Sequence, residues 1–392
     1  MSPYKKAIPI FVGMTFLYFI SMYAYVPILS PYAQNLGATL SMIGVITGAY
    51  GLIQVFLRIP LGIASDKMRR RKVFVMAGMA MNIVAALVML FADSPVWVLL
   101  CRMCSGAAAV AWVHISVLFT SYFPAHKSAQ AISILNAISY SGNMCGTLLG
   151  GAIGNSFGVQ AAFITSIIAG AVSLVISFFI KENRPPVAQE PITVKKLLLM
   201  GKEKNLLIVS ILAVLIQLIA FGTTFGFVPI QADALGATSM QQSILTAMAS
   251  LSAFCSSFLV GIVFTKYIGK YLTIIIGFVL AFITTAAFPY MTSIMGLYVV
   301  QFIGGFAKGM IFPTLMSLSI ESVAPEKRST AMGFFQAIYG VGMFLGPTLT
   351  GFISDLIGMT GGFWVIGSMG IIGAIITAFY ARMNKNQPAL NP

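Results

Sequence analysis

The sequence predicts an all-α membrane protein of twelve transmembrane helices, arranged as two pseudo-symmetric six-helix bundles. Three observations carry that expectation: a composition too apolar for water, twelve apolar runs of spanning length, and text repeated between the two halves of the chain. Of 392 residues, 58% are hydrophobic and only 8% are charged, against roughly a quarter charged in a soluble domain. The longest hydrophilic stretch is Lys181 to Asn205, too short for an extramembrane nucleotide-binding or catalytic domain. Any energy source is therefore expected to be a gradient.

A helix crossing ~30 Å of hydrocarbon needs about 20 apolar residues. Such runs lie approximately at 7–29, 41–65, 73–92, 95–122, 129–153 and 159–180 in the first half. In the second half they lie approximately at 206–230, 240–264, 271–290, 293–320, 329–353 and 361–381. The apolar run at the amino terminus follows Lys5 and Lys6 as in a signal peptide, but it exceeds the usual h-region length and is read as the first span.

The net charge of +14 would suggest nucleic acid in a soluble protein, but here topology explains it. Twenty of the 23 Lys and Arg residues fall in the two tails and the even-numbered loops, among them Lys67, Arg69, Arg70, Arg71, Lys72, Lys127, Lys181, Lys202, Lys270 and Arg382. The odd-numbered loops hold only Asp93, Asp233 and Asp355. Because cytoplasmic loops retain positive charge, the expected location is the cytoplasmic membrane, multi-pass, with both termini cytoplasmic. Nucleic acid is not an expected partner; the bilayer is.

Cys101, Cys104, Cys145 and Cys255 all sit inside apolar runs, where a disulfide framework would be out of place. The Cys101–Cys104 pair reads as small helix-packing residues, and neither a metal nor a cofactor is expected.

Val26-Pro27-Ile28 followed by Leu36-Gly37-Ala38-Thr39 recurs as Val228-Pro229-Ile230 followed by Leu235-Gly236-Ala237-Thr238. Gly142-x-x-x-Gly146 with Gly151 recurs as Gly342-x-x-x-Gly346 with Gly351, and Pro124 to Ala131 echoes Pro325 to Ala331. The offset stays near 200 residues, so the chain reads as a duplicated six-helix unit. Six crossings return the chain to its starting side, so the halves share one orientation about an axis along the membrane normal. The expected division is residues 1–180 for the first bundle, 181–205 for a cytoplasmic linker, and 206–392 for the second bundle.

Four local matches make the chain resemble the major facilitator superfamily over its whole length, closest to its twelve-helix proton-coupled exporters. Gly62-x-x-x-Asp66-Lys67-Met68-Arg69-Arg70-Arg71 looks like the superfamily's G-x-x-x-D-x-x-G-R-[RK] loop, with Arg69 in place of the second glycine. A weaker copy follows span 8 at Gly261 to Lys270, without the acid. Arg102-Met103-Cys104-Ser105-Gly106 resembles the R-x-x-x-G of proton-coupled members. Gly142 to Gly151 resembles the exporters' G-x-x-x-G-P-x-x-G-G, with Thr147 where proline is expected; Gly346-Pro347 keeps that pair in the other half.

The resemblance implies that spans 1, 4, 7 and 10 line a central cavity, with 2, 5, 8 and 11 between the halves. Gating is expected at Gly62, Asp66, Arg70 and Arg71, through a contact holding the halves together at one face. Lipid-facing topology determination explains the same basic cluster equally well. Gly146, Gly346 and Pro347 belong to small-residue strings that let backbones approach, as helices that must slide require.

Three basic residues remain inside spans: Arg58, Arg102 and Lys308. A charge at membrane depth costs at least ~2.5 kcal/mol and marks a pathway or a partner. All nine acids fall in loops or at helix ends, so no buried carboxylate is visible to neutralise these cations. Arg58 lies within snorkelling reach of the surface. Arg102 keeps its proton, whereas an amine such as Lys308 can release one.

An unpaired cationic interior is best satisfied by an anionic substrate, or one presenting several oxygens. Arg102 and Lys308 are therefore expected to face each other across the halves and bind a small organic anion. Tyr23, Tyr25, Gln54, Gln217, Asn136, Tyr140, Gln336 and Tyr339 are polar residues suited to orienting it, Asn136 and Gln336 being equivalent in the repeat. His114, on the helix of Arg102, titrates near neutrality and reads either as a proton relay beside Arg102 or as a hydrogen-bonded packing histidine.

The expected function is secondary active transport of a small organic anion or amphipathic metabolite by alternating access, as proton-coupled efflux from a monomer. An uptake symporter or anion exchanger would use the same site. An enzyme would need a clustered nucleophile, metal set or carboxylate pair at membrane depth, and the spans offer one histidine and no acid.

Overall fold

The computed structural model describes residues 7–68, 70–123, 128–182, 199–321, 323 and 328–385. Every regular element among them is helical. In chain order the long helices are α1 (Ala7–Asn35), α2 (Leu40–Met68), α3 (Arg71–Leu90), α4 (Pro95–Thr120), α5 (Ser128–Phe157) and α6 (Val159–Ser177). There follow α7 (Lys204–Ala234), α8 (Ser239–Leu259), α9 (Lys270–Ala287) and α10 (Ile294–Glu321). The segment Arg328–Lys385 contains α11 and α12, divided at Gly358, whose φ of 82° ends one helix and starts the next. Ten stretches are long and apolar enough to cross a membrane. One of them contains both α11 and α12, and α5 with its 30 residues brings the long helices to twelve. Most of the expected linker, the Asp66 side chain, and parts of the echoed segments before α5 and α11 lie outside the described residues.

Helix ends run past the apolar runs. The first helix continues to Asn35 and the seventh to Ala234, beyond the expected 29 and 230, because hydropathy marks the hydrocarbon-depth core while backbone hydrogen bonding carries a helix on into the polar zone.

The repeated Val-Pro-Ile motif interrupts both of these helices at equivalent places. Proline lacks an N–H and its ring collides with the carbonyl four residues back, which for Pro27 is that of Tyr23 and for Pro229 that of Phe225. In α1 the helix breaks into Ala7–Tyr23 and Val26–Asn35. In α7 the same conflict is absorbed by a π-helical segment, Phe221–Phe227, a deformation frequent at functional sites. Both interruptions fall where the helices meet the central cavity.

Small residues set the spacing between helices. A Cβ on Gly146 would come within 2.7 Å of the Ile20 backbone in α1, and one on Gly346 would collide with the Leu218 backbone in α7. These two glycines thus seat α5 on α1 and α11 on α7, each inside its own half. Gly151 and Gly351 do the complementary job: a Cβ there would meet Ser243 of α8 and the Leu40 carbonyl of α2, respectively, both in the other half. Pro347 also touches the opposite half, its carbonyl lying against Gly44 of α2. Because Gly151 and Gly351 are repeat equivalents, the two seams between the halves obey the same pseudo-symmetry as the sequence.

Hydroxyls stitch the helices within each half, since in an apolar medium a polar side chain seeks a neighbouring helix. Tyr18 donates to the Ala108 carbonyl at 2.7 Å, Asn82 to Ser21 Oγ at 2.7 Å, and Ser256 to the Phe306 carbonyl at 2.7 Å.

Candidate functional site

A cavity of about 310 Å³ lies between the halves. Its walls come from α1, α2, α4 and α5 on one side and α7, α8, α9, α10 and α11 on the other. On the side away from Ala7 the halves are held by the Gly151 and Gly351 seams and by the Ser41 backbone N–H, which donates to the Asp355 carboxylate at 2.8 Å. Nearer the Ala7 side, the Arg58–Tyr339 and Tyr140–Phe254 contacts bracket the cavity.

Of the residues expected to bind substrate, Lys308, Arg58, Tyr23, Gln217, Asn136, Tyr140 and Tyr339 all line this cavity, as does Gln54. Arg58 turns inward instead of snorkelling. Its guanidinium donates to Gln54 Oε1 at 2.6 Å and to the Tyr339 hydroxyl at 3.4 Å, bridging the halves, while its Nε has no partner. Lys308 Nζ lies 5.8 Å from the ring centre of Phe221 and 5.6 Å from that of Phe225, and it makes no hydrogen bond among the described residues.

Arg102, unlike Lys308, is not among the residues lining the central cavity. Its guanidinium lies 4.6 Å over the Tyr50 ring, in a separate small void that it shares with Tyr23, Tyr50, Phe221 and Phe225. Tyr50 stacks on Phe221 with centroids 6.2 Å apart and planes 17° apart. Arg102 thus lies against one ring of this pair and Lys308 near the other, one ring from each half, with the π-helical segment of α7 carrying Phe221 and Phe225.

His114 and Gln336 are not among the cavity-lining residues. His114 is buried against the Phe74 ring of α3, centroids 5.0 Å apart, and Tyr25 is buried within the first half, hydrogen-bonded to Ser105 at 2.9 Å. Gly62 has open space where a Cβ would stand. Arg70 is exposed, and the neighbouring Lys72 closes the end of α6, donating to the Phe178 and Ile180 carbonyls at 2.8 and 3.0 Å.

Gln301, 1% exposed, also lines the cavity and was not singled out from sequence; its Nε2 is unpartnered, as is Gln217 Oε1. The available signal was its spacing, seven residues before Lys308 and so two turns along the same face of α10. Phe221, Phe225 and Trp112 carried no comparable signal, because aromatics inside a span read only as apolar. No Asp or Glu is present among the described lining residues. No cluster of three or more His, Cys, Asp or Glu occurs among the described residues, and the four cysteines are free.

A duplicated helical bundle enclosing a polar central cavity between its halves defines a membrane transporter. The family model described as Major Facilitator Superfamily matches residues 11–230 and 210–392, and the chain belongs to that superfamily. It is 26% identical over 342 residues to a multi-drug resistance efflux pump PmrA homolog of Lactococcus lactis, covering 84% of each chain. It is 25% identical over 373 residues to the multidrug resistance protein MdtG of Dickeya zeae, covering 92% of this chain and 91% of the other. Among solved structures, it superposes on a bacterial homolog of the human lysosomal transporter Spinster, in its inward-facing and unoccupied conformation, with a TM-score of 0.82 at 16% identity over the whole of both chains. The nucleoside transporter NupG matches with a TM-score of 0.77 at 17% identity, covering 96% and 99% of the two chains. The likeness to solved structures confirms the fold.

Proposed function

We propose that this transporter carries a small organic anion or amphipathic metabolite by alternating access, as proton-coupled efflux across the cytoplasmic membrane. One observation carries the reading: the cavity presents Lys308, the Nε of Arg58, the Nε2 of Gln301 and the Oε1 of Gln217 without protein partners, and no lining carboxylate offsets the charge. Buried polar groups left unpaired are costly, so a ligand whose oxygen acceptors meet Lys308, Arg58 and Gln301, and which offers one hydroxyl or N–H donor to Gln217 Oε1, relieves them. Aromatic walls including Tyr23, Trp112, Tyr140 and Tyr339 suit the apolar part of such a ligand.

In this reading residues 1–180 and 206–392 rock as two bodies joined by 181–205, with both termini cytoplasmic and one chain sufficient. The pseudo-symmetric Gly151 and Gly351 seams support the rocking, and the relatives named as multidrug efflux pumps support the direction. Lys308 is the cavity amine able to carry a proton. Arg102 acts on the substrate through the Tyr50–Phe221 pair, and His114, on the face of α4 that meets Phe74 of α3, serves as a relay.

The test is transport into sealed vesicles under an imposed pH gradient, after a melting-temperature screen of anionic, zwitterionic and cationic metabolites. A ligand binding only the folded protein raises its melting temperature. Anionic ligands are expected to do so, and Lys308→Ala is expected to abolish their transport. Normal transport by Lys308→Ala with an unchanged charge preference would overturn the proposal.

A further inference from the structure

Arg102 is 4% exposed, and among the described residues it donates no hydrogen bond; the Tyr50 ring face is its recorded partner. A guanidinium has five N–H donors and stays charged, so a ring face leaves most of its bonding capacity unused. Beside it lies a void of about 20 Å³, lined by Met22, Tyr23, Val26, Tyr50, Phe221 and Phe225 together with Arg102 itself. About 10–15 Å³ suffices for one water-sized occupant, so this space admits one atom-sized particle.

We propose that this void is a binding site for one small inorganic monovalent anion of chloride size. A water molecule would accept some of the N–H groups but leave the charge uncompensated, whereas a halide does both. The space is too small for a substrate carboxylate, and it adjoins the central cavity, sharing Met22, Tyr23, Tyr50, Phe221 and Phe225 with it while Arg102 and Val26 line the small void without lining the cavity. Tyrosine hydroxyls and the electropositive edges of aromatic rings are compatible neighbours for an anion. Phe221 and Phe225 come from α7 while the rest of the pocket comes from α1, α2 and α4, so the site is enclosed only when the halves meet as they do here. An anion held there binds this conformation better than any other and shifts the population toward it. Arg102 does not line the central cavity, so a halide effect on melting that needs Arg102 is distinguishable from loss of substrate transport in Lys308→Ala.

The purified full-length protein in detergent is melted in sodium chloride and in sodium gluconate at equal ionic strength. Chloride, and bromide likewise, is expected to raise the melting temperature by about 2 °C or more. Arg102→Gln is expected to erase the difference, and Phe225→Ala, which opens the pocket, to reduce it. Crystals of the unaltered protein soaked in bromide are expected to show an anomalous peak against the Arg102 guanidinium, which decides the matter even if Arg102→Gln does not fold. Equal melting in both salts with no peak overturns the proposal, as does a chloride effect that persists in Arg102→Gln. A bromide peak without any melting difference means an adventitious ion only, and overturns it too.

Discussion

Tyr50 and Phe221, one from each half of the molecule, stack with their centroids 6.2 Å apart, with Arg102 4.6 Å from the Tyr50 ring centre and Lys308 5.8 Å from that of Phe221. Aromatic pairs contribute about 0.5–1.5 kcal/mol beyond their buried area. A double-mutant cycle with Tyr50→Leu and Phe221→Leu, read by melting temperature in detergent, is therefore expected to show a coupling of about 1 kcal/mol. Strictly additive effects would mean the rings do not bind the halves together.

Gln301 is buried with its amide nitrogen unpartnered, two turns from Lys308. If that nitrogen donates to the substrate, Gln301→Leu removes one neutral hydrogen bond, a loss of about 3- to 10-fold in affinity. Ligand titration by intrinsic fluorescence checks this, with Gln336→Leu, outside the cavity, as the control expected to bind normally.

Gly151 and Gly351 leave no room for a side chain between the halves. Gly351→Leu is expected to wedge the seam apart and expose the cavity from the side away from Ala7. Labelling of a single cysteine introduced at Thr224, a cavity residue, by a membrane-impermeant thiol reagent added on that side is expected to accelerate at least several-fold. Unchanged labelling would remove the seam from the gating mechanism.

Asp355, exposed at the end of α11, accepts from Ser41 across the same seam, and that hydrogen bond holds its carboxyl below the ordinary value of 3.8. A depressed carboxylate contributes its contact fully above the ordinary value and loses it as pH falls through the lowered one. Thr224 labelling from this side is therefore expected to stay constant from neutral pH down to the ordinary carboxylate range and to rise only below it. Asp355→Asn, which cannot ionise, is expected to lack that acid-dependent rise.

The repeat, the twelve spans and the superfamily were legible in the sequence because each rests on local text: apolar length, charge alternation, and motifs such as Val26-Pro27-Ile28 and its copy at Val228. A helix in hydrocarbon must satisfy its own backbone, so hydropathy alone marks where helices lie. The inward-facing set Lys308, Gln217, Asn136, Tyr140 and Tyr339 was legible for a related reason, since polar groups at that depth seek a cavity.

What the sequence could not decide is which faces meet. Arg58 lay within reach of either water or the cavity, and only the position of Tyr339 on the opposite half settles it inward. Arg102 and Lys308 were expected to face each other around an anion, yet Arg102 does not line the cavity and lies over Tyr50, which stacks on Phe221 of the π-helical segment of α7. Charge, length and repetition are properties of the chain and can be read along it. Which cation lines the cavity and which lies against an aromatic ring outside its lining depends on helix rotation and interhelical packing, which no single stretch of sequence encodes.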